Sequence, residues 1–258
     1  MKKFYSFSLI VLASLSYAQV SLTALNTAYT QNFDGLANSG TSSTTLNGTL
    51  AGWYILETGS NSNTTYTVST GSATAGDTYS FGAASSTERA LGSIASGNLL
   101  SRYGAQFKND TGNIIDQLEI SYVGEEWRFD PARGTTIKDQ ITFEYSTDAT
   151  SLTTGTWTAV TALLYETTNL TGTVGTRNGN DAAYRTSLSN TISGLNIPVG
   201  QIFWIRFVDI NVSGTDDGLA VDDFSLTPRN SSFLSVNDIS KSKNIFLKNT
   251  MVDNTLSF

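Results

Sequence analysis

Between Asn26 and Thr227 the apolar residues of this chain recur at every second position, in short runs broken by clusters of Gly, Asn, Ser and Thr. A period of two places successive side chains on opposite faces of a pleated strand, so each run offers one face to a core and the other to water. Ile141-Thr142-Phe143-Glu144-Tyr145-Ser146 shows it most clearly, with Ile141, Phe143 and Tyr145 on one face and Thr142 and Glu144 on the other. Leu118 to Val123 and Leu219 to Leu226 are further strands of this kind. Phe203 to Ile210 is apolar on both faces apart from Arg206 and Asp209, the signature of a strand running centrally through a sheet. No stretch carries a convincing apolar recurrence of 3.6, and the frequent β-branched Thr disfavours helix. Short strands joined by long polar loops predict an all-β fold, a two-sheet antiparallel sandwich of jelly-roll type over residues 19–228.

Composition then limits the chemistry. The 258 residues include no Cys and no His. A disulfide framework, a thiolate or imidazole metal site, a cysteine nucleophile and a Ser-His-Asp triad are therefore excluded. Any metal must be held by oxygen, the preference of hard cations such as calcium. The balance of 22 acidic against 15 basic residues argues against a nucleic-acid partner, which selects basic patches.

The two ends carry address signals. Lys2 and Lys3 precede an apolar stretch from Phe4 to Leu15, and Ser16-Tyr17-Ala18 has the small-x-small form of a cleavage site. Residues 1–18 are thus expected to be a signal peptide, removed before Gln19. No later stretch approaches the roughly 18 apolar residues of a transmembrane helix. The chain is expected to be secreted or displayed on the outer cell surface, with no transmembrane anchor. At the other end, Thr227-Pro228-Arg229-Asn230-Ser231-Ser232 reads as a polar linker. Beyond it come Val236-Asn237-Asp238, a stretch bearing Lys241, Lys243 and Lys248, and Asn249-Thr250-Met251-Val252-Asp253-Asn254. This tail resembles the start of the C-terminal sorting domain of proteins exported by the type IX secretion system of Bacteroidetes. Residues 229–258 are accordingly expected to be a linker and the beginning of a truncated sorting domain. The resemblance implies the type IX machinery as a partner, with the chain either a fragment, the favoured reading, or bearing a degenerate tail.

Two constellations inside the body are candidates for chemistry. In Gly218-Leu219-Ala220-Val221-Asp222-Asp223-Phe224-Ser225-Leu226 two adjacent carboxylates interrupt an apolar strand. Regular alternation would send them to opposite faces, placing at least one in the interior or at a sheet edge. A buried carboxylate needs a partner, and a hard cation is one. Near the start, Asn32-Phe33-Asp34-Gly35 is followed by Gly52-Trp53. Together these stretches resemble the galactose-binding-like and MAM-like jelly rolls of carbohydrate-binding and adhesion proteins. The resemblance implies that the opening Phe-acid pair meets the closing Asp-Asp strand beside a structural calcium. Matching positions make Asp34, Asp222 and Asp223 the metal candidates, joined by Asp209, Asp216 and Asp217 just upstream. The other reading has the Asp pair capping strands and pairing with Arg206 or Arg128.

The second constellation is Gly124-Glu125-Glu126-Trp127-Arg128, with Arg89, Asp181 and Arg185 elsewhere. A Trp between acids and an Arg can form a sugar-stacking platform with hydrogen-bonding neighbours. That makes Trp127, Arg128, Glu126 and Arg89 candidate ligand-binding residues, although a salt-bridged strand end with Trp127 capping the core fits equally. Neighbouring Glu125 and Glu126 face opposite ways on a strand, so alone they do not make the carboxyl pair of a glycosidase. The expected function is a non-catalytic module that binds glycan or mediates adhesion. An extracellular carboxylate-dependent hydrolase and a ligand-free structural domain are the alternatives.

Overall fold

The computed structural model describes residues 19–46 and 49–232. The expected signal peptide and the sorting-like tail from residue 233 lie outside the described residues. The strands, in chain order, begin with β1 (Val20–Leu22), β2 (Tyr29–Gln31), β3 (Thr41–Ser43), β4 (Trp53–Thr58), β5 (Thr65–Ser69) and β6 (Asp77–Phe81). There follow β7 (Ala90–Ile94), β8 (Leu100–Asn109), β9 (Ile115–Phe129), β10 (Gln140–Ser146) and β11 (Thr158–Ala159). The series closes with β12 (Tyr165–Glu166), β13 (Gly175–Thr176), β14 (Arg185–Ile197), β15 (Ile202–Ile210) and β16 (Gly218–Arg229). Short 3-10 turns at Pro131–Arg133 and Thr161–Leu163 interrupt the connections.

These strands form the expected sandwich. One sheet runs β1-β8-β15-β10-β11, with β4 also on β8 and β12 on β10. The other runs β13-β9-β16-β7-β6-β5-β3, with β14 also on β9 and β2 on β16. The doubly apolar stretch ending at Ile210 is central, as its composition predicts: β15 lies between β8 and β10. The wholly antiparallel pairing expected from sequence needs correction at two places, because β1–β8 and β5–β6 run parallel. Both involve short strands near sheet edges, where a few residues can be added in either direction.

Period-two alternation fills the space between the sheets. Tyr103, Ala105 and Phe107 of β8 and Phe203, Ile205 and Phe207 of β15 meet Leu118, Ile120 and Tyr122 of β9. Leu219, Val221, Phe224 and Leu226 of β16 complete that layer. The switch from odd to even numbers along β16 marks a bulge. Asp222 pairs with Val123 and Ser225 with Ser121, leaving one residue too many, and Asp223 takes φ 49°. Asp is among the few side chains that tolerate this left-handed conformation, and an extra residue of this kind bends a strand. The bulge overturns the expectation that the two aspartates face opposite ways across the core. Asp222 stays on the outer face with Ala220, while the Asp223 side chain is 56% exposed.

The outer face of the larger sheet carries its own apolar cluster of Tyr79, Phe81, Ala90, Ile94, Trp127 and Ala220. The Phe81 and Trp127 rings stack with centroids 6.1 Å apart. The segment leading to β14 lies directly on the indole. A Cβ on Gly179 would sit 2.3 Å from Trp127 Nε1, so only glycine admits this approach. Among the described residues no helix is long and apolar enough to cross a membrane.

Candidate functional site

Three carboxylates converge on that outer face. Glu125 of β9 lies opposite Ala220 of β16 and opposite Arg185 of β14. It shares a face with Trp127, whose indole N–H donates to Glu125 Oε2 at 2.9 Å. Asp222 arrives from the bulge, two residues beyond Ala220. Glu88 comes from the β6–β7 connection, where its carboxylate accepts from Asn180 Nδ2. Oxygens of Glu88, Glu125 and Asp222 lie within 4.8 Å of one another. Glu88 Oε1, Glu125 Oε1 and Asp222 Oδ1 are all buried without a hydrogen-bond donor. Arg185 comes to 3.9 Å from Glu125 Oε1, too far for a hydrogen bond, and to 3.4 Å from Asp223. Burial, reinforced by the neighbouring negative charges, pushes the Glu125 carboxyl up to about 7 and that of Asp222 up to about 8.

Of the metal candidates named from sequence, only Asp222 belongs to this group. Asp223 faces solvent beside Arg185. Asp34 is exposed and already engaged, accepting from Asn32 Nδ2 at 2.6 Å and from the Arg89 backbone N–H at 3.1 Å. The alternative pairing of the Asp pair with Arg206 or Arg128 does not occur, since Arg206 pairs with Glu144 and Arg128 with Asp130. Glu88 was invisible to sequence reasoning, being a lone acid in a polar loop. Glu125 had one usable signal: a Glu two residues before a Trp shares its face.

The proposed sugar platform is interior. Trp127 is 1% exposed, packed between Phe81 and the Gly179 segment, so its ring caps the outer cluster instead of meeting a ligand. Arg89 is fully buried and clamps its own loop, donating from Nε to Ser80 Oγ at 2.9 Å and from its terminal nitrogens to the Ser80, Ser69 and Ala83 carbonyls. Glu126 points to the opposite face from Glu125 and accepts from Asn169 Nδ2 at 2.8 Å and Thr167 Oγ1 at 3.1 Å. Arg128 is mostly buried, 3.8 Å from Asp130.

Asp209, Asp216 and Asp217 form a separate group with Asp139. Asp217 binds Arg133 through both carboxylate oxygens, with the two side chains 0% and 1% exposed. It also accepts from the Asp130 N–H at 2.7 Å. Asp139 accepts from the Asp217 N–H at 2.5 Å, Asp209 from Ser93 Oγ at 2.7 Å, and Asp216 from the Val212 N–H at 2.9 Å. Asp217 is thus held by protein donors, and Asp209 through Oδ2 alone, its Oδ1 being buried without one. Burial, with mutual repulsion adding, pushes Asp209 up to about 7 and Asp216 up to about 6. A carboxyl whose pKa is raised on folding holds its proton in the native state after the unfolded chain has released it. Its stabilisation is full below the unfolded value and is lost as pH rises through the folded one. Melting temperature should therefore fall as pH climbs from about 5 to 8, less steeply in Asp209→Asn. A melting temperature that rises over that interval would contradict the assignment.

A groove of about 340 Å³ opens on the outer face of the smaller sheet. Tyr54 and Leu56 of β4, Gln106 of β8 and Trp204 of β15 form its floor, and Ser151 and Leu152 of the β10–β11 connection form a wall. These are the outward positions of strands whose alternate residues fill the core. The Tyr54 and Trp204 rings lie 5.0 Å apart at 45°. Trp204 is 3% exposed, and its Nε1–H is buried without an acceptor. Beside it, the Arg206 guanidinium lies 3.9 Å over Trp157. The groove lining is neutral throughout. The apolar character of both faces of Phe203 to Ile210 was its trace in the sequence.

The fold is a two-sheet β-sandwich. No family model matches the chain, and no curated protein matches it. Solved structures similar to it include the K3 cleaved adhesin domain of Lys-gingipain from Porphyromonas gingivalis W83. That likeness has a TM-score of 0.40 at 12% identity, covering 72% of this chain and 97% of that one. TmCBM27, a carbohydrate-binding module described for specific mannan recognition, has a TM-score of 0.36 at 10% identity, covering 78% and 96%. The enzymatically active domain of bacteriophage CBA120 tailspike protein 4 has a TM-score of 0.35 at 7% identity. There the likeness covers 69% of this chain but only 19% of the tailspike chain.

Proposed function

We propose that this chain is an exported, non-catalytic module that binds neutral carbohydrate in the groove of Tyr54, Gln106 and Trp204. The observation that carries this reading is the neutral groove of about 340 Å³ itself, with the half-buried Tyr54 ring on its floor beside Trp204. A sugar presents a C–H face to an aromatic ring and hydroxyls to hydrogen-bonding groups beside it, and Tyr54, Gln106 and Ser151 offer both. The neutral lining favours an uncharged ligand, since no buried charge must be matched. The division of Glu125 and Glu126 between opposite faces supports binding over hydrolysis by that pair. Export rests on the leader-like segment 1–18, and the type IX route on the likeness of the tail to a sorting domain.

Binding to soluble neutral polysaccharides, followed by titration calorimetry, tests the groove. Tyr54→Ala should weaken binding by about tenfold or more, the scale of losing one stacking ring. Gln106→Ala removes a hydrogen-bonding group from the floor and should also weaken binding. Trp127→Phe, on the other sheet, should leave affinity unchanged. Equal affinity in all these variants, each correctly folded, would rule the groove out.

A further inference from the structure

We propose that Glu88, Glu125 and Asp222 together bind one hard divalent cation, of which calcium is the best match, on the outer face of the larger sheet. This goes beyond the carbohydrate reading and is independent of it, since the groove lies on the other sheet. The resemblance noted from sequence implies a calcium between Asp34 and the Asp222-Asp223 pair. This chain departs from that ligand set: Asp34 is spent on Asn32 and the Arg89 backbone, and Asp223 faces solvent.

Three observations support the site. Each acid contributes one oxygen that no protein donor satisfies, and those of Glu125 and Asp222 belong to side chains 0% and 4% exposed. Buried polar atoms are rarely left unpaired, and here each of three acids whose carboxylates converge carries one. The opposite oxygens of Glu88 and Glu125 are pinned by Asn180 Nδ2 and by the Trp127 indole, which fixes how the carboxylates are presented. Finally, the spacing suits the ion. Calcium–oxygen distances of about 2.4 Å allow ligand oxygens up to about 5 Å apart, and these three acids converge within 4.8 Å. Arg185 is the nearby cation, but at 3.9 Å from Glu125 and partnered with Asp223 it leaves most of the charge unmatched. Carbonyls and water would complete the shell. A bound ion would tie the β6–β7 connection to β9 and to the bulge of β16, and through Asn180 to the segment covering Trp127.

Trp127 provides the reporter, because its indole is bonded to one proposed ligand. Terbium added to the wild-type protein should give emission sensitised by excitation of tryptophan, and calcium should displace it. Calcium at about 100 times its dissociation constant should raise the melting temperature by about 5–10 °C relative to excess chelator. Glu125→Gln and Asp222→Asn should each abolish both responses. Each variant should melt in chelator at the same temperature as wild type or higher, because an acid whose ionisation burial opposes is replaced by a neutral amide. Asp34→Asn should keep both responses, and Trp127→Phe should lose the sensitised emission but keep the calcium-dependent rise. The proposal is overturned by identical wild-type melting in calcium and chelator. It is overturned equally if both responses survive in Glu125→Gln and Asp222→Asn, or vanish in Asp34→Asn.

Discussion

Truncating Phe207 to alanine is expected to destabilise the sandwich by about 3–5 kcal/mol. The ring is fully buried and touches Tyr103, Tyr122, Phe143 and Phe224, with centroids 4.9 to 6.1 Å away. Those contacts span β8, β9, β10 and β16, so one side chain joins both sheets. The neighbours are aromatic rings on regular strands and cannot easily collapse into the space left behind, which places the loss towards the upper end of that range. Urea titration should show a lower midpoint with an unchanged slope, the mark of lost stability in an otherwise intact native state. Val199→Ala, at a residue 54% exposed, is the matched control and should shift the midpoint little.

The second large effect is expected at Arg133. Replacing it with methionine keeps much of the volume but strands the buried Asp217 carboxylate, which sits near Asp139 and Asp216. Breaking a buried ion pair on one side costs about 3–5 kcal/mol, largely because the abandoned charge has no water to turn to. Arg133 also donates to the Asp130 and Ile137 carbonyls at 2.9 and 3.0 Å, so the loop from 130 to 137 loosens with it. Removing the abandoned charge as well, in Arg133→Met with Asp217→Asn, should recover part of the loss. The recovery is read from a double-mutant cycle in urea. A single substitution costing less than about 1 kcal/mol would show the pair to be no stronger than a surface one.

Much of the scaffold was legible because its strands obey a simple rule. Ile141, Phe143 and Tyr145, and Phe203, Ile205 and Phe207, sit on the inward faces that alternation assigns them. The site was less legible for three physical reasons. At Asp222-Asp223 one inserted residue breaks the alternation, and two polar residues in succession give no sign of the slip. The Glu88 carboxylate is held by Asn180, ninety-two positions along the chain, and so distant a pairing leaves no pattern in a sequence. Trp127 admitted both an exposed and a buried role, and the choice depended on Gly179, fifty-two positions along the chain, coming to lie against its indole.

The bulge at Asp223 has a consequence for how this domain could be altered. Read without Asp223, the strand Leu219-Ala220-Val221-Asp222-Phe224-Ser225-Leu226 alternates without interruption, and Leu219, Val221, Phe224 and Leu226 remain the inward set. The inserted residue therefore contributes nothing to the phase of the core and acts only on how the outer face is presented. A single-codon deletion there would leave the architecture intact while altering how Asp222 approaches its acidic neighbours. Scaffold and acidic site are thus separable parts of one strand, and either could be redesigned without the other.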